Sequence, residues 1–229
     1  LRSLILFTAN LFDKAEEDKE LYKFVELLTP ICKSFGSEQG FNVAVDAVQA
    51  HGGYGFCTEY GIEQFVRDTK IATIYEGTNG IQAIDFVMRK ILKDEGKSFK
   101  KISEKIVSSS LELGEEFAGE KAILNKAFAA SQEAMAYIAK HAMGKNHGHV
   151  LQSCKDFLDL SAFIVVAWRH MESAKVASVK LADTSGDEKI FLESKIVDFK
   201  IFCTQYLGNA VALSKSITSV EEDMSQYQL

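Results

Sequence analysis

An all-α fold of two consecutive helical bundles is predicted by three features of the sequence. Only 1 proline stands among 229 residues, and that scarcity favours long uninterrupted elements over the many turns of a β-sandwich or barrel. Apolar residues recur at steps of three and four along most of the chain, the spacing of one helix face. No segment reads as a strand. A composition of 47% hydrophobic and 25% charged residues is that of an ordinary globular protein.

In chain order, residues 1–13 place Leu1, Leu4, Ile5, Leu11 and Phe12 near helical spacing. The charged run from Lys14 to Glu20 reads as a solvated turn or helix edge. Leu21 to Leu28 is helical again. Thr29-Pro30 admits two readings: a cap followed by proline at a first helical position, or one long helix kinked at Pro30. Either way a helix passes through Val43, Ala44, Ala47 and Val48 to His51. It stops at Gly52-Gly53, because glycine takes the positive φ of a helix end without strain. Residues 52–60 form a glycine-rich aromatic loop. A short helix over 61–69 is expected to turn Ile62, Phe65 and Val66 inward. A second loop spans 71–77. Thr78 or Asn79 then caps a helix carrying Ile81, Ile84, Val87, Met88 and Ile91.

Asp94-Glu95-Gly96-Lys97 reads as a domain boundary, giving a first bundle over 1–95 and a second over 97–229, with Ser98 as a cap. Four helices follow, over 98–117, 119–143, 149–182 and 187–217. Their breaks fall at Gly119, at Gly144 to Gly148 and at Asp183 to Gly186. In the third, Phe157, Ser161, Ile164, Trp168 and Met171 alternate four and three apart, a seam for packing on other helices. The second bundle holds no constellation of catalytic residue types. The opening run already reads as mid-helix, so an amino-terminal part of a longer protein is expected ahead of Leu1.

Charge and cysteine usage narrow the classes. The 26 Lys+Arg against 32 Asp+Glu give a formal charge of -6. With no basic run, nucleic acid is excluded as an expected partner, since phosphate binding needs clustered Lys and Arg. Cys32, Cys57, Cys154 and Cys203 form no CxxC pair, and they read as reduced, mostly buried thiols of a reducing compartment such as the bacterial cytoplasm. No stretch reads as a signal peptide or a membrane span. His51, in a last helical turn, reads as satisfying the helix carbonyls. His141, His147, His149 and His170 match no metal-site spacing and read as surface or loop residues, so no metal is expected.

The chemistry concentrates in Gln49-Ala-His-Gly-Gly-Tyr-Gly55, Arg67-Asp-Thr-Lys-Ile71 and Ile74-Tyr-Glu-Gly-Thr-Asn-Gly-Ile-Gln82. A helix ends on Gly52 and Gly53, where backbone can approach a ligand without interference from a Cβ. Gln49, one turn earlier, offers both donor and acceptor groups. Glu76 sits in a loop before another helix, flanked by Ile74 and Tyr75, with Gly77 permitting close approach. The N–H groups of Thr78 and Asn79 suit a polar or anionic ligand. A carboxylate in an apolar pocket becomes a useful general base.

In this order and spacing, Gln-x-x-Gly-Gly-x-Gly, Arg-Asp-x-Lys-Ile and Ile-Tyr-Glu-Gly-Thr-x-x-Ile-Gln resemble the carboxyl-terminal helical domain of acyl-CoA dehydrogenases. The resemblance covers residues 1 to about 92. The stretch Gly80 to Lys90 and the looser match over 97–229 look like the subgroup that contains 3-methylmercaptopropionyl-CoA dehydrogenase, which carries an appended helical domain. The resemblance implies an FAD enzyme that converts an acyl-CoA thioester to a trans-2-enoyl-CoA. Glu76 falls on the family's catalytic base, with Tyr75 and Gly77 lining the acyl pocket. Gln49, Gly52 and Gly53 match a segment that reaches the FAD of a neighbouring subunit, so at least a homodimer is implied. Thr78 and Asn79 match a segment that contacts FAD within its own subunit. Asn79-Gly80 departs from the Ser-Glu or Ser-Gln pair common there. Electron-transfer flavoprotein is the implied acceptor. Because the family's amino-terminal and middle domains are absent from these residues, the chain alone is expected to be inactive and to retain no FAD. An acyl-CoA oxidase and a non-catalytic helical assembly domain are the alternatives. The Tyr75-Glu76-Gly77-Thr78 run argues against the second.

Overall fold

A computed structural model of the chain describes residues 1–16 and 18–224. Glu17, in the charged run, and the last five residues of the expected second bundle lie outside that set. Among the described residues there is no strand, and the fold is all-α.

The first two helices are α1 (Arg2–Lys14) and α2 (Lys19–Ala50). Asp18 caps α2, its carboxylate accepting the N–H groups of Glu20 at 2.8 Å and Leu21 at 3.3 Å, so the helix starts ahead of Leu21. Of the two readings at Pro30, one long helix is correct. Thr29 caps nothing: its hydroxyl donates back to the Val25 carbonyl at 2.8 Å. Pro30 withholds one ladder hydrogen bond, but it is buried beside Leu27, Leu28 and Ile31, and that packing keeps the helix intact.

The glycine-rich loop contains a single turn, α3 (Gly53–Phe56), and leads to α4 (Ile62–Lys70). Here an expectation fails. Phe65 is 58% exposed, Ile62 and Val66 are only half-buried, and α4 buries none of its residues. Next comes α5 (Asn79–Ile84), capped by Thr78, whose hydroxyl accepts the Ile81 N–H at 3.2 Å. It runs on into a widened helical turn over residues 85–91. Such a turn rotates the helix face that follows. Ile81 and Ile84 therefore stay exposed, whereas Phe86, Val87 and Ile91 are fully buried.

The remaining helices are α6 (Lys97–Leu111), α7 (Ala118–Met143), α8 (His147–Lys180), α9 (Gly186–Ile201) and α10 (Gly208–Thr218). Ser98 is not the cap of α6. Its N–H is received by the Asp94 carboxylate at 3.0 Å, and the residue itself is buried. The element expected over 98–117 ends at Leu111, with a separate short turn at Glu115–Phe117. The single helix expected over 187–217 is divided by a widened turn at Phe202–Tyr206.

Helix α8 is the centre of the molecule. Phe157, Ser161, Ile164, Trp168 and Met171 are all buried, as their spacing predicts. The helix packs on α7, α9 and α10, and also on α1, α2 and α5. Phe157 meets Phe99 at 5.5 Å and Phe86 at 6.2 Å between ring centroids, and Trp168 meets Phe7 edge-on at 5.1 Å. One apolar core consequently runs from Leu4 to Ile217.

All four thiols are free. Burial pushes Cys154 and Cys203 up to about 12, so both are inert thiols. Cys32 is half-buried and Cys57 is exposed, which departs from the expectation for the latter. The histidines need a larger correction. His149 is buried in α8, with Nδ1 2.9 Å from the Tyr137 hydroxyl and its ring stacked on His141 at 4.3 Å. His170, also in α8, stacks on Phe202 at 5.0 Å. His51 does sit with Nδ1 2.8 Å from the Ala47 carbonyl at the end of α2.

Candidate functional site

After α4 a short turn at Ile71–Thr73 leads into an unusual stretch of backbone. Glu76 takes φ 54° and Gly77 φ 83°. Glycine occupies this left-handed region freely. A glutamate does so at a cost of about 1–3 kcal/mol, and such strain persists only where its surroundings enforce it. The surroundings are visible on both sides. The Tyr75 N–H donates to the Ile71 carbonyl at 3.1 Å. Gln82 Nε2 donates to the Glu76 carbonyl at 3.3 Å. Thr78 caps α5, and Asn79 is fastened to α2.

The Asn79 anchorage is extensive. The residue is 6% exposed. Its Oδ1 accepts from Lys33 Nζ at 2.7 Å and from the Ser37 hydroxyl at 3.2 Å. Its Nδ2 donates to Glu38 Oε1 at 3.0 Å and stands 3.0 Å from the Ser37 hydroxyl oxygen. The amide is thus spent inside the chain, and only the main chain of Asn79 is left for a cofactor. Desolvation holds the Lys33 ammonium below the usual lysine range, against the opposing charges of Glu38 and Glu76.

The loop brings Tyr75, Glu76, Gly77, Thr78 and Asn79 together. It does not build the expected apolar pocket around the carboxylate. Glu76 is exposed, Tyr75 is 52% exposed, and Ile74 is exposed beside them. A groove of about 740 Å³ lies elsewhere, between α6 and α7. It is lined by Phe99, Val107, Leu111, Phe128 and Met135, and by no candidate residue.

Gln49, Gly52 and Gly53 form a second, separate group at the end of α2. Eleven residues of helix separate Gln49 from Glu38, about 16 Å along the axis. Gln49 is exposed, and a Cβ added at Gly52 or Gly53 meets nothing within 4 Å. Bare backbone therefore faces outward, with Gly52 at φ 60°. Gly55 is the packed glycine of the run: a Cβ there would lie 2.4 Å from the Val48 carbonyl oxygen. Sequence reasoning missed this role, and the signal was the third glycine following a helix stop. Large apolar side chains are left exposed along the segment that holds both groups, including Val43, Tyr54, Phe56, Phe65, Ile71 and Ile81. Among the described residues no group of three or more His, Cys, Asp or Glu could hold a metal ion, and no helix is long and apolar enough to cross a membrane.

Comparison with known proteins gives the family. Residues 1–92 match the family described as acyl-CoA dehydrogenase, C-terminal domain, and residues 87–228 match that described as acetyl-CoA dehydrogenase C-terminal like. The chain belongs to the acyl-CoA dehydrogenase family. It is 32% identical to the 3-methylmercaptopropionyl-CoA dehydrogenase of Ruegeria pomeroyi over 97% of its own length and 39% of that protein's. A broad-specificity linear acyl-CoA dehydrogenase of Mycobacterium tuberculosis is 31% identical over 99% of the chain and 39% of its own length. The chain thus spans about two fifths of these relatives. The crystal structure of an acyl-CoA dehydrogenase complexed with FAD from Bacillus anthracis superposes with a TM-score of 0.69 over 98% of the chain and 40% of that protein, at 24% identity. That likeness establishes the shared fold.

Proposed function

We propose that this chain is the C-terminal helical part of an FAD-dependent acyl-CoA dehydrogenase, built as one helical module over 1–95 and a second over 97–229. Glu76 is its catalytic base. The observation that carries the reading is the strained, braced backbone at Glu76, which presents an exposed carboxylate next to Gly77 and the Thr78-capped helix.

In this reading the Glu76 carboxylate takes the α proton of an acyl-CoA thioester, and the β carbon gives up a hydride, leaving a trans-2-enoyl-CoA. FAD, when bound, supplies the acceptor for that hydride, and electron-transfer flavoprotein takes the electrons onward. The Glu76 main-chain N–H donates to the thioester carbonyl and acidifies the α proton by stabilising negative charge on oxygen. Tyr75 and Gly77 line the acyl end. Gln49, Gly52 and Gly53 fit a cofactor contact made by exposed main chain, and Thr78 and Asn79 fit one made through their backbone. The exposed apolar surface between Val43 and Ile84 supports cover by other parts of the protein or by another subunit, which would enclose Glu76 and raise its basicity by desolvation.

The test uses the full protein that carries this chain, loaded with FAD. Glu76→Gln keeps the side-chain shape but cannot accept a proton. It is expected to bind FAD and acyl-CoA and to bleach the flavin slower by roughly two to four orders of magnitude, the range of a positioned general base. Rapid anaerobic mixing with saturating acyl-CoA reads the step. Bleaching at the unmodified rate would remove Glu76 from the chemistry.

A further inference from the structure

We propose that Lys155, on helix α8 of the second module, is a positioning residue for the Glu76 loop, acting through Glu38 and Asn79. This rests on the reading of Glu76 as the base. Lys155 Nζ lies 3.0 Å from both carboxylate oxygens of Glu38. Glu38 Oε1 in turn receives the Asn79 amide at 3.0 Å. Asn79 closes the strained stretch that begins at Glu76, and its other amide atom is held by Lys33 and Ser37. A continuous chain of charged and polar contacts therefore leads from the second module to the loop that carries the carboxylate.

Its geometry gives the chain a function beyond joining two modules. The Lys155 and Glu38 side chains are 35% and 33% exposed, and Asn79 is buried. In such partial burial a charge needs its partner, because the desolvation cost remains when the partner is removed. Burial acts against the Lys155 ammonium, and hydrogen bonds and charge from Asp159 and Glu38 outweigh it, raising its pKa. Lys155 stays charged, with Asp159 one turn further on α8 fixing its reach. Without Lys155, Glu38 keeps the Asn79 amide and the charge of Lys33. A carboxylate freed to turn toward Lys33 would compete with Asn79 Oδ1 for that ammonium and withdraw the acceptor of Asn79 Nδ2. The left-handed conformation of Glu76 would then lose one of its two braces and relax toward ordinary backbone.

The experiment compares three variants. Lys155→Met keeps the length of the side chain and removes the charge. In the FAD-loaded full protein it is expected to slow flavin reduction at saturating acyl-CoA roughly ten- to hundredfold, as a displaced reacting group does, with acyl-CoA affinity unchanged. Lys155→Arg restores the rate. Amide hydrogen exchange of residues 75–79 speeds up in Lys155→Met, a readout independent of flavin. Lys175→Met is the control for a purely structural loss, because Lys175 is an ion-paired lysine of the same helix that reaches Glu112 and Glu172 instead. It is expected to keep the rate and the exchange at the loop. Should Lys155→Met fail to fold, Glu38→Gln cuts the same chain at its middle and carries the same expectations. An unchanged rate and exchange in these variants, beside a dead Glu76→Gln, overturns the positioning role and leaves the base standing. Equal slowing by Lys155→Met and Lys175→Met overturns it too. A fully active Glu76→Gln overturns the functional reading, and this inference falls with it.

Discussion

The Glu76 carbonyl accepts a hydrogen bond from Gln82 Nε2 at 3.3 Å, so a side chain of α5 reaches back over the loop to a glutamate held in the left-handed region. Gly77 lies between them in space as well: a Cβ at Gly77 would stand 3.2 Å from the same nitrogen. The carboxylate is thus presented by a backbone that is braced from α5 through Gln82 and from α2 through Asn79.

Gln82→Ala removes the α5 brace without touching the carboxylate. The lost hydrogen bond is neutral and exposed, so stability is expected to fall by about 0.5 kcal/mol, the low end for such a bond. Flavin reduction in the full protein is expected to slow while FAD content stays constant. A variant that melts at a lower temperature yet reduces flavin at the unmodified rate would show that this brace has no bearing on catalysis.

Gly55→Ala and Gly53→Ala separate a packed glycine from an exposed one. The new methyl at 55 meets the Val48 carbonyl oxygen at 2.4 Å, which backbone cannot yield without distorting the end of α2. A loss of about 1–3 kcal/mol is expected, the usual cost of overpacking. At 53 the methyl meets nothing within 4 Å, so denaturant unfolding should match the parent. Gly53→Val in the full protein is expected to lose FAD with little loss of fold. Equal destabilisation at 53 and 55 would contradict the division.

What could be read in the sequence follows from range. The seam from Phe157 to Met171 and the Thr78 cap are properties of a single helix, and both appear where the pattern puts them. The motif around Glu76 was legible as order and spacing of residues. Phe65 was not legible, because a helical apolar face shows only that something should cover it, and among the described residues nothing does. For the same reason the apolar pocket around Glu76 is not formed by Ile74 and Tyr75. Ser98 misled because Asp94, four residues earlier, outcompetes a serine as acceptor of the first free N–H groups. The link from Lys155 to Glu38 joins residues 117 apart in sequence, and no local pattern announces such a pair.

Stability should fall on mild acidification. His170 sits below the usual histidine range chiefly because burial disfavours its charged form, with the Leu1 amine and Lys195 adding to the effect and Asp198 opposing it. His141 is lowered by desolvation and then by the neighbouring His149 and Lys140. A histidine depressed in the folded state is neutral there while the unfolded chain already binds a proton. The stability this confers is complete above the ordinary value near 6.5 and is lost as the pH falls from there toward the folded values. Urea midpoints measured at about pH 7.5 and about pH 5.5 are expected to be lower at the acid end, and His170→Gln should shrink the difference. An equal or higher midpoint at the acid end would refute the sign.

The last prediction concerns cooperativity between the two segments. Phe157 is fully buried in α8, and its ring meets Phe86, from the widened turn after α5, and Phe99, from α6. Removing it empties a site lined from both sides of residue 96, where no single helix can shift to fill the space. Phe157→Ala is expected to cost about 3–5 kcal/mol, the range for a buried aromatic whose cavity does not collapse. Because the apolar core is continuous from Leu4 to Ile217, the loss should move one unfolding transition as a whole. Calorimetry of the chain, set beside circular dichroism and the fluorescence of Trp168, checks this. Trp168 reports from the same helix, where it packs on Phe7 of α1. Coincident curves shifted together by the substitution are the expected result. Two separated transitions, only one of them moved by Phe157→Ala, would mean that α8 belongs energetically to one segment and that the contacts with α1, α2 and α5 contribute little.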